Sequence, residues 1–172
     1  MDQIRNIIVK IEGLKQEKKF DEAVRLVQAS IGEYSEDYRL FEELADIYLF
    51  RNQLEKSLNA VEYALELNKE SATGNYLKGF ILLSKDMPNE AIRYLERSNS
   101  IIGNNSEVLR NLGWAYTLTG HPERGVIVLK RALNLSPEDE LITEDLAMAL
   151  IGAWDLTEWN LLLKKIWKKA RN

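Results

Sequence analysis

The sequence lacks cysteine altogether and contains a single histidine among its 172 residues. Without cysteine the chain has no disulfide framework and no thiolate nucleophile, which excludes thiol redox chemistry. One histidine cannot assemble a metal site of nitrogen and sulfur ligands, so we expect no bound metal. The first ten residues carry an apolar run of only three, Ile7 to Val9, which encodes neither a secretory signal nor a membrane span. We therefore expect a cytoplasmic location.

The charge of the chain is unevenly distributed. Residues 1–155 carry a net charge of −8 and residues 156–172 a net charge of +4. An acidic body repels a phosphate backbone, so we expect no nucleic-acid partner. The composition, with 45% hydrophobic and 29% charged residues, is typical of a folded domain with a substantial core.

The most informative feature that is present is a repeat of 34 residues. Small residues recur at this spacing in three series: Ala45, Gly79, Gly113, Ala147; Ala23, Ser57, Ala91, Gly125; and Ser30, Ala64, Ser98, Ala132. Large apolar residues recur between them, as in the series Val27, Val61, Leu95, Leu129, Leu163. Small residues beside large ones allow two helices to approach closely while their side chains interlock. The repeat therefore predicts packed helix pairs.

Apolar residues within each repeat follow helical periodicity, at steps of three and four residues. Turn residues divide each repeat in the middle, as at Gly120-His121-Pro122, and Ser71, Ser106 and Ser136 stand at the boundaries. Serine suits the start of a helix, and proline suits the first helical position. This pattern predicts helices of about 12 to 15 residues, each too short to be stable without its neighbours.

Residues 106–139 resemble a tetratricopeptide repeat, a family identified by a signature of small and large apolar residues. The signature positions here are Leu109, Leu112, Gly113, Tyr116, Gly120, Gly125, Leu129, Ala132 and Pro137. Other repeats match it at Phe41, Leu44, Ala45, Tyr48, Ser57, Val61, Ala64, Gly79, Leu82, Ala91 and Leu95. The resemblance implies an all-α fold, a right-handed α-solenoid of about ten helices in antiparallel pairs. We expect one domain over 1–172, with repeats at 4–37, 38–71, 72–105, 106–139 and 140–172.

The two end repeats depart from the signature. Ile11 replaces the small residue of the first helix, and Trp159 stands where alanine or glycine is expected. Terminal repeats are commonly atypical because one face has no following repeat to pack against. We therefore expect the last helix, residues 155–171, to act as a cap.

The resemblance also implies a concave groove lined by the first helix of each repeat, which in this family commonly holds a peptide or a partner's helix. The first repeat would contribute Ile8, Val9 and Glu12. The remaining groove residues would be Glu42, Glu43, Asp46, Phe50, Tyr76, Leu77, Phe80, Arg110, Asn111, Trp114, Thr117, Glu144, Asp145 and Met148. Tyr76, Phe80 and Trp114 are the strongest candidate anchors, because aromatic side chains bury large areas at little entropic cost. Ordinary packing is the alternative interpretation of all three.

Two interpretations of the acidic groove residues remain open. Glu42, Glu43, Asp46, Glu144 and Asp145 form either a solvated face or a wall that favours a basic ligand. Arg110 either binds a carboxylate of the partner or neutralises its neighbours. Some members of the family grip a C-terminal carboxylate with lysine, asparagine and arginine, but only Asn111 matches that pattern here. We therefore expect no binding of an acidic chaperone-type tail.

The basic C-terminal segment, Leu161 to Lys169, gives two alternative functions. It could contact a membrane surface or an acidic partner, although cations at a helix end also complement the helix dipole. Trp154, Trp159 and Trp167 lie close together in sequence, and an exposed part of that cluster would favour homo-oligomers. The alternatives are thus a self-assembling scaffold through end caps and a peripheral membrane adaptor, with membrane binding the weaker of the two.

No catalytic motif emerges from the sequence. His121 precedes Pro122 in a turn, and Gly113, Gly120 and Gly125 are accounted for by helix packing and turns, so no phosphate loop is present. We expect no enzyme and no cofactor. The sequence favours a non-catalytic interaction module that binds a protein or peptide as an adaptor, scaffold or chaperone. If the acidic groove residues contact the partner, that partner is basic and apolar. The sequence does not identify that partner.

Overall fold

A computed structural model describes residues 3–170, with the side chains of Leu156, Lys165 and residues 167–170 outside the described set. The described residues form ten helices and no β-strand, which confirms the predicted all-α helical-repeat class. In chain order these are α1 (Gln3–Gln16), α2 (Phe20–Glu33), α3 (Tyr38–Phe50), α4 (Leu54–Leu67), α5 (Ala72–Ser84), α6 (Pro88–Ile102), α7 (Ser106–Leu118), α8 (Pro122–Leu135), α9 (Glu140–Gly152) and α10 (Leu156–Ala170). None of these described helices has the length and hydropathy needed to cross a bilayer.

The chain contacts divide the molecule into two compact units, one ending at Asp86 and one beginning at Met87. Unit 1 contains α1 to α5 and unit 2 contains α6 to α10. The boundary falls inside the third predicted repeat, 72–105. The single-domain interpretation of the whole chain stays a prediction.

Each unit has its own apolar core. In unit 1, one cluster includes Ile11, Val27 and Leu40, and a second includes Val61 and Ile81. In unit 2, α7 to α10 share a cluster whose centre consists of Leu109, Leu129, Ile142 and Leu150. Val27, Val61, Leu95 and Leu129 of the 34-residue series are fully buried, as the repeat predicts, whereas Leu163 in the last helix is only partly buried.

The small residues mark the place where α7 and α8 approach most closely. A Cβ atom added to Gly113 would lie 2.6 Å from the Cγ atom of Leu129, and one added to Gly125 would lie 2.8 Å from the carbonyl oxygen of Gly113. In unit 1 the equivalent position is filled by Ser57, whose hydroxyl donates to the carbonyl oxygen of Ala45 at 2.7 Å. Glycine is required at the α7–α8 crossing because any side chain would push the two backbones apart.

The helix starts follow the predicted chemistry with two corrections. Ser71 caps α5 by accepting from the amide of Gly74, as predicted. At α7 and α9, however, the caps are Asn105 and Asp139 rather than Ser106 and Ser136. Asparagine and aspartate are equally good acceptors for the unpaired amides of a helix start, so the signal was displaced by one and three residues.

A left-handed residue recurs in the turn after each odd-numbered helix. Its φ angle is 57° at Lys18, 55° at Asn52, 59° at Asp86, 79° at Gly120 and 57° at Trp154. This conformation satisfies the last carbonyl groups of the preceding helix and reverses the chain. His121 follows in one of these turns, as predicted, and is the N-cap residue of α8.

Candidate interaction faces

The inner face of unit 1 is held together by a buried lysine. Lys15 on α1 donates through Nζ to Glu12 at 2.8 Å, to Glu43 at 2.9 Å and to Asp46 at 2.6 Å, and its side chain is only 8% exposed. Burial lowers the pKa of the Lys15 ammonium group, but the three carboxylates outweigh it and hold the pKa above its ordinary value. Glu43 and Asp46, both on α3, are thus committed to an intramolecular network that ties α3 to α1.

Glu42 does not line an open groove, which corrects the sequence-based placement. Its side chain is buried and accepts a hydrogen bond from the hydroxyl of Ser71, which in turn accepts from the backbone N–H of Gly74. Burial raises the pKa of Glu42 from 4.5 to about 7. The carboxyl group therefore completes the cap of α5 and is unavailable as a solvated acid.

The aromatic residues of unit 1 are partly accessible. The rings of Tyr76 and Phe80 on α5 lie 6.2 Å apart and are both half-buried. Phe50 is exposed at the end of α3 and stacks on Phe20 at 5.9 Å. Leu77 is a correction: it is 4% exposed and packs in the core, because it lies about 100° around the helix from Tyr76.

In unit 2 an ion pair joins α7 to α9. The Nε atom of Arg110 donates to Oδ2 of Asp145 at 2.7 Å, and both side chains are largely buried. Burial raises the pKa of Asp145 above its ordinary value, Arg110 opposes that rise, and the charges of Glu144 and Asp139 add to it. Of the two interpretations of Arg110, the structure favours neutralisation of a neighbour.

Two more predicted groove residues make intramolecular bonds. Asn111 is buried and donates from Nδ2 to the carbonyl oxygen of Glu107 at 3.1 Å, so its placement in the groove is corrected. Thr117 is half-buried and donates to the carbonyl oxygen of Gly113 at 3.0 Å. Each of these bonds to the preceding helical turn uses one donor hydrogen of the side chain within the protein.

Trp114, Glu144 and Met148 form the open part of the predicted face. Trp114 on α7 is half-buried, while Glu144 and Met148 on α9 are exposed, with Met148 at 54%. Trp114 and Met148 occupy the same position in consecutive repeats, and α7 contacts α9 directly. This pair places apolar surface on adjacent helices beside the Arg110–Asp145 ion pair.

Three residues of these faces were missed from sequence. Lys15 occupies the repeat position held elsewhere by Leu49, Leu83, Thr117 and Ile151, where it is the only charged residue. That exception was a readable signal of a special role. Ile151 and Trp154, both exposed, continue the face of Met148 at steps of three residues, which helical periodicity could have shown.

A cavity of about 270 Å³ lies on the other side of α7, between α6 and α8. Its wall includes Tyr116, whose hydroxyl donates to Glu96 and accepts from Arg124 at 2.8 Å. Burial and the bond to Glu96 raise the pKa of Tyr116 to about 12. Because Tyr116 points about 200° away from Trp114 around α7, this shallow cavity is separate from the candidate face. Of its polar lining groups, Tyr116, Glu96 and Arg124 are paired with one another, whereas Oδ1 of Asn99 has no hydrogen-bond partner among the described residues.

The predicted C-terminal features are described in part. Trp159 packs against the core of unit 2, and Trp154 is exposed. The capping role of α10 stays a prediction. The side chains of Lys165, Trp167, Lys168 and Lys169, and all of residue 171, lie outside the described residues. Among the described residues, no group of three or more histidine, aspartate or glutamate side chains is arranged so that it could hold a metal ion.

Comparison with known proteins agrees with the repeat. The tetratricopeptide repeat family model matches residues 106–139. Anaphase-promoting complex subunit 7 of Dictyostelium discoideum is 31% identical over 109 residues, which is 63% of this chain and 18% of that protein. The chain thus spans less than a fifth of the length of that relative.

Solved structures show the same fold at low identity. PilW, a widely conserved type IV pilus biogenesis factor, is similar with a TM-score of 0.86 and 18% identity, over 100% of this chain and 80% of that chain. YrrB, a TPR protein with an unusual peptide-binding site, gives a TM-score of 0.77 and 15% identity, over 92% and 82%. The fold is therefore that of the helical-repeat proteins. The resemblance to the tetratricopeptide repeat family is confirmed.

Proposed function

We propose that this chain is a non-catalytic interaction module that binds a peptide or a partner's helix on the inner faces of its odd-numbered helices. In unit 2 this face is formed by α7 and α9, and in unit 1 by α1, α3 and α5. The fold shared with YrrB, which has a peptide-binding site, supports the class of function. An adaptor or scaffold role fits a module of this kind. A cytoplasmic location remains a prediction from the sequence.

The observation that carries the proposal is the contrast between the two kinds of side chain on the α7–α9 face. The charged pair Arg110 and Asp145 is used within the protein and fixes the two helices against each other. Trp114 and Met148 remain accessible on the same face. A rigid pair of helices that presents apolar side chains can bind a partner without a large ordering cost.

The proposal is tested by selecting peptides from a random phage-displayed library against the wild-type protein. Each selected peptide is then titrated by fluorescence anisotropy against Met148→Glu and Trp114→Ala. Ile127→Glu is the matched control, because Ile127 is 64% exposed on α8, outside the proposed face. We expect Met148→Glu to weaken binding about tenfold or more, as for an interface anchor, and Ile127→Glu to leave it unchanged. Peptides that bind all variants equally would contradict the assignment.

A further inference from the structure

The turn between α9 and α10 contains an unusual tryptophan. Trp154 is 85% exposed. Among the described residues, this is the highest exposed fraction of any large apolar side chain. Its backbone also adopts the left-handed conformation, with φ of 57°. A bulky residue is uncommon there because its Cβ atom crowds the backbone.

Three of the four equivalent turns use residues better suited to this conformation. Asn52, Asp86 and Gly120 occupy the same position, and glycine, asparagine and aspartate tolerate positive φ most readily. The fourth, in the first repeat, has Lys18 with φ of 57°, so Trp154 is the only aromatic residue among these five turns. Trp154 therefore strains the turn, and its exposure shows that it contributes little packing in return. A strained residue without an intramolecular benefit points to a role in recognition.

Trp154 ends a row of exposed apolar residues along α9, here called the α9 strip: Leu141, Met148, Ile151 and Trp154. Their exposed fractions are 52%, 54%, 45% and 85%. The steps of seven and three residues place Leu141, Met148 and Ile151 within about 80° of one another around α9, and Trp154 lies in the turn that follows the helix. The strip extends about 15 Å along α9, the length of three turns of a helix.

The charge next to the strip is negative. Glu140 and Glu144 are exposed at the N-terminal end of α9 and form no ion pair among the described residues. Arg110, on the neighbouring helix α7, is already paired with Asp145. The negative charge of Glu144 also acts on Asp145, because it adds to the rise that burial causes in the pKa of Asp145. A partner with basic side chains complements this end of the strip.

We infer that the α9 strip docks an amphipathic helix of a partner protein, with its apolar stripe on Met148, Ile151 and Trp154 and a lysine or arginine beside Glu144. The inference rests on the proposed function and deepens it by naming the partner's chemistry. An apolar row of three helical turns with an aromatic anchor at one end matches the i, i+3, i+7 pattern of a docked helix. Trp154 is the anchor.

The test uses two synthetic probes, an amphipathic Lys/Leu helix and its Glu/Leu counterpart. Their binding is measured by fluorescence anisotropy for the wild type, Trp154→Gly, Met148→Glu and the control Ile127→Glu, with a thermal melt of each. We expect the Lys/Leu helix to bind the wild type at least about tenfold more tightly than the Glu/Leu helix. Trp154→Gly should weaken that binding about tenfold while its melting temperature stays equal or rises, since glycine suits the turn. Glu144→Lys should reverse the preference between the probes.

Several results would overturn the inference. Equal binding of the Lys/Leu helix by Trp154→Gly and the wild type would contradict the role of Trp154 as anchor. A preference for the Glu/Leu helix, or no binding of either probe, would contradict the proposed basic amphipathic partner. A marked fall in melting temperature for Trp154→Gly shows a structural role instead. A wild-type dimer in sedimentation, or flotation with anionic vesicles, that Trp154→Gly abolishes assigns the strip to a second copy or to a membrane.

The failure of this inference is distinguishable from the failure of the proposed function. Suppose that the library-selected peptides bind Trp154→Gly as tightly as the wild type but no longer bind Met148→Glu. This result would support the proposed function and contradict the role of Trp154 as anchor. Peptides that bind Met148→Glu as tightly as the wild type would contradict both the proposed function and the further inference.

Discussion

The Nζ atom of Lys15 lies 2.6 Å from the Oδ2 atom of Asp46, which connects α1 to α3 across the inner face of unit 1. Lys15→Met would leave Glu43 and Asp46 close together and partly buried without a cation. Because an uncompensated buried charge is costly, we expect a loss of about 2 kcal/mol in the free energy of unfolding at pH 7. Urea denaturation measures it. Lys10→Met, at an exposed position of α1, should change stability by less than about 0.5 kcal/mol. Equal effects of the two substitutions would contradict the role of Lys15.

The burial of Glu42 predicts that the free energy of unfolding depends on pH. Burial raises its folded-state pKa to about 7, against an ordinary value of 4.5, so folding takes up a proton between these values. The contribution of Glu42 to stability is fully present below pH 4.5 and is lost as the pH rises through 7. A tenfold change in an ionisation constant corresponds to about 1.4 kcal/mol, so the wild type should lose on the order of 3 kcal/mol relative to Glu42→Gln over this window. Parallel urea titrations from pH 4 to pH 8 compare the two proteins. A pH-independent difference between them would show that the pKa of Glu42 is the same in the folded and unfolded states.

Two glycines give opposite predictions for the same substitution. Gly125→Ala places a Cβ atom 2.4 Å from Oγ1 of Thr117 and should destabilise unit 2 by about 2 kcal/mol through overpacking. Gly13→Ala, in the interior of α1, meets no atom within 4 Å and should stabilise the protein by about 0.5 to 1 kcal/mol. Thermal and urea denaturation test both. A stabilising Gly125→Ala would contradict the close approach of α7 and α8.

An acidic C-terminal peptide of the chaperone type should not bind. Asn111, the only residue that matches the carboxylate-gripping pattern, is buried and bonded to the carbonyl of Glu107. Arg110, the cation beside it on α7, is already paired with Asp145. Isothermal titration with such a peptide should give no heat beyond dilution. Micromolar binding would refute this prediction.

The fold was predictable because it depends on a pattern repeated along the chain. Series such as Gly113 with Gly125 record how closely two helices approach, and each repeat reports the same geometry again. The site was less predictable. Whether Leu77 faces the core, or Glu42 the cap of α5, depends on about 100° of helix rotation and on side chains from other helices.

The charged residues of the faces were the hardest to interpret, since their partners lie far along the sequence. Lys15 meets Glu43 and Asp46 from 28 and 31 residues away, and Arg110 meets Asp145 from 35. The residue types at the predicted groove positions suggest, by themselves, an acidic groove. The contacts show that most of its acids in unit 1 hold the protein together.

The most direct test of the central claim is a methyl NMR titration with a library-selected peptide. The chain contains three methionines, so selective ¹³C labelling of their methyl groups gives few signals, and Met148→Leu assigns the one on α9. Ile127→Met adds a matched reporter on α8, outside the proposed face. The account predicts that the Met148 signal shifts in a saturable manner while the signal at position 127 stays in place. A peptide that saturates the protein without moving the Met148 signal would contradict it.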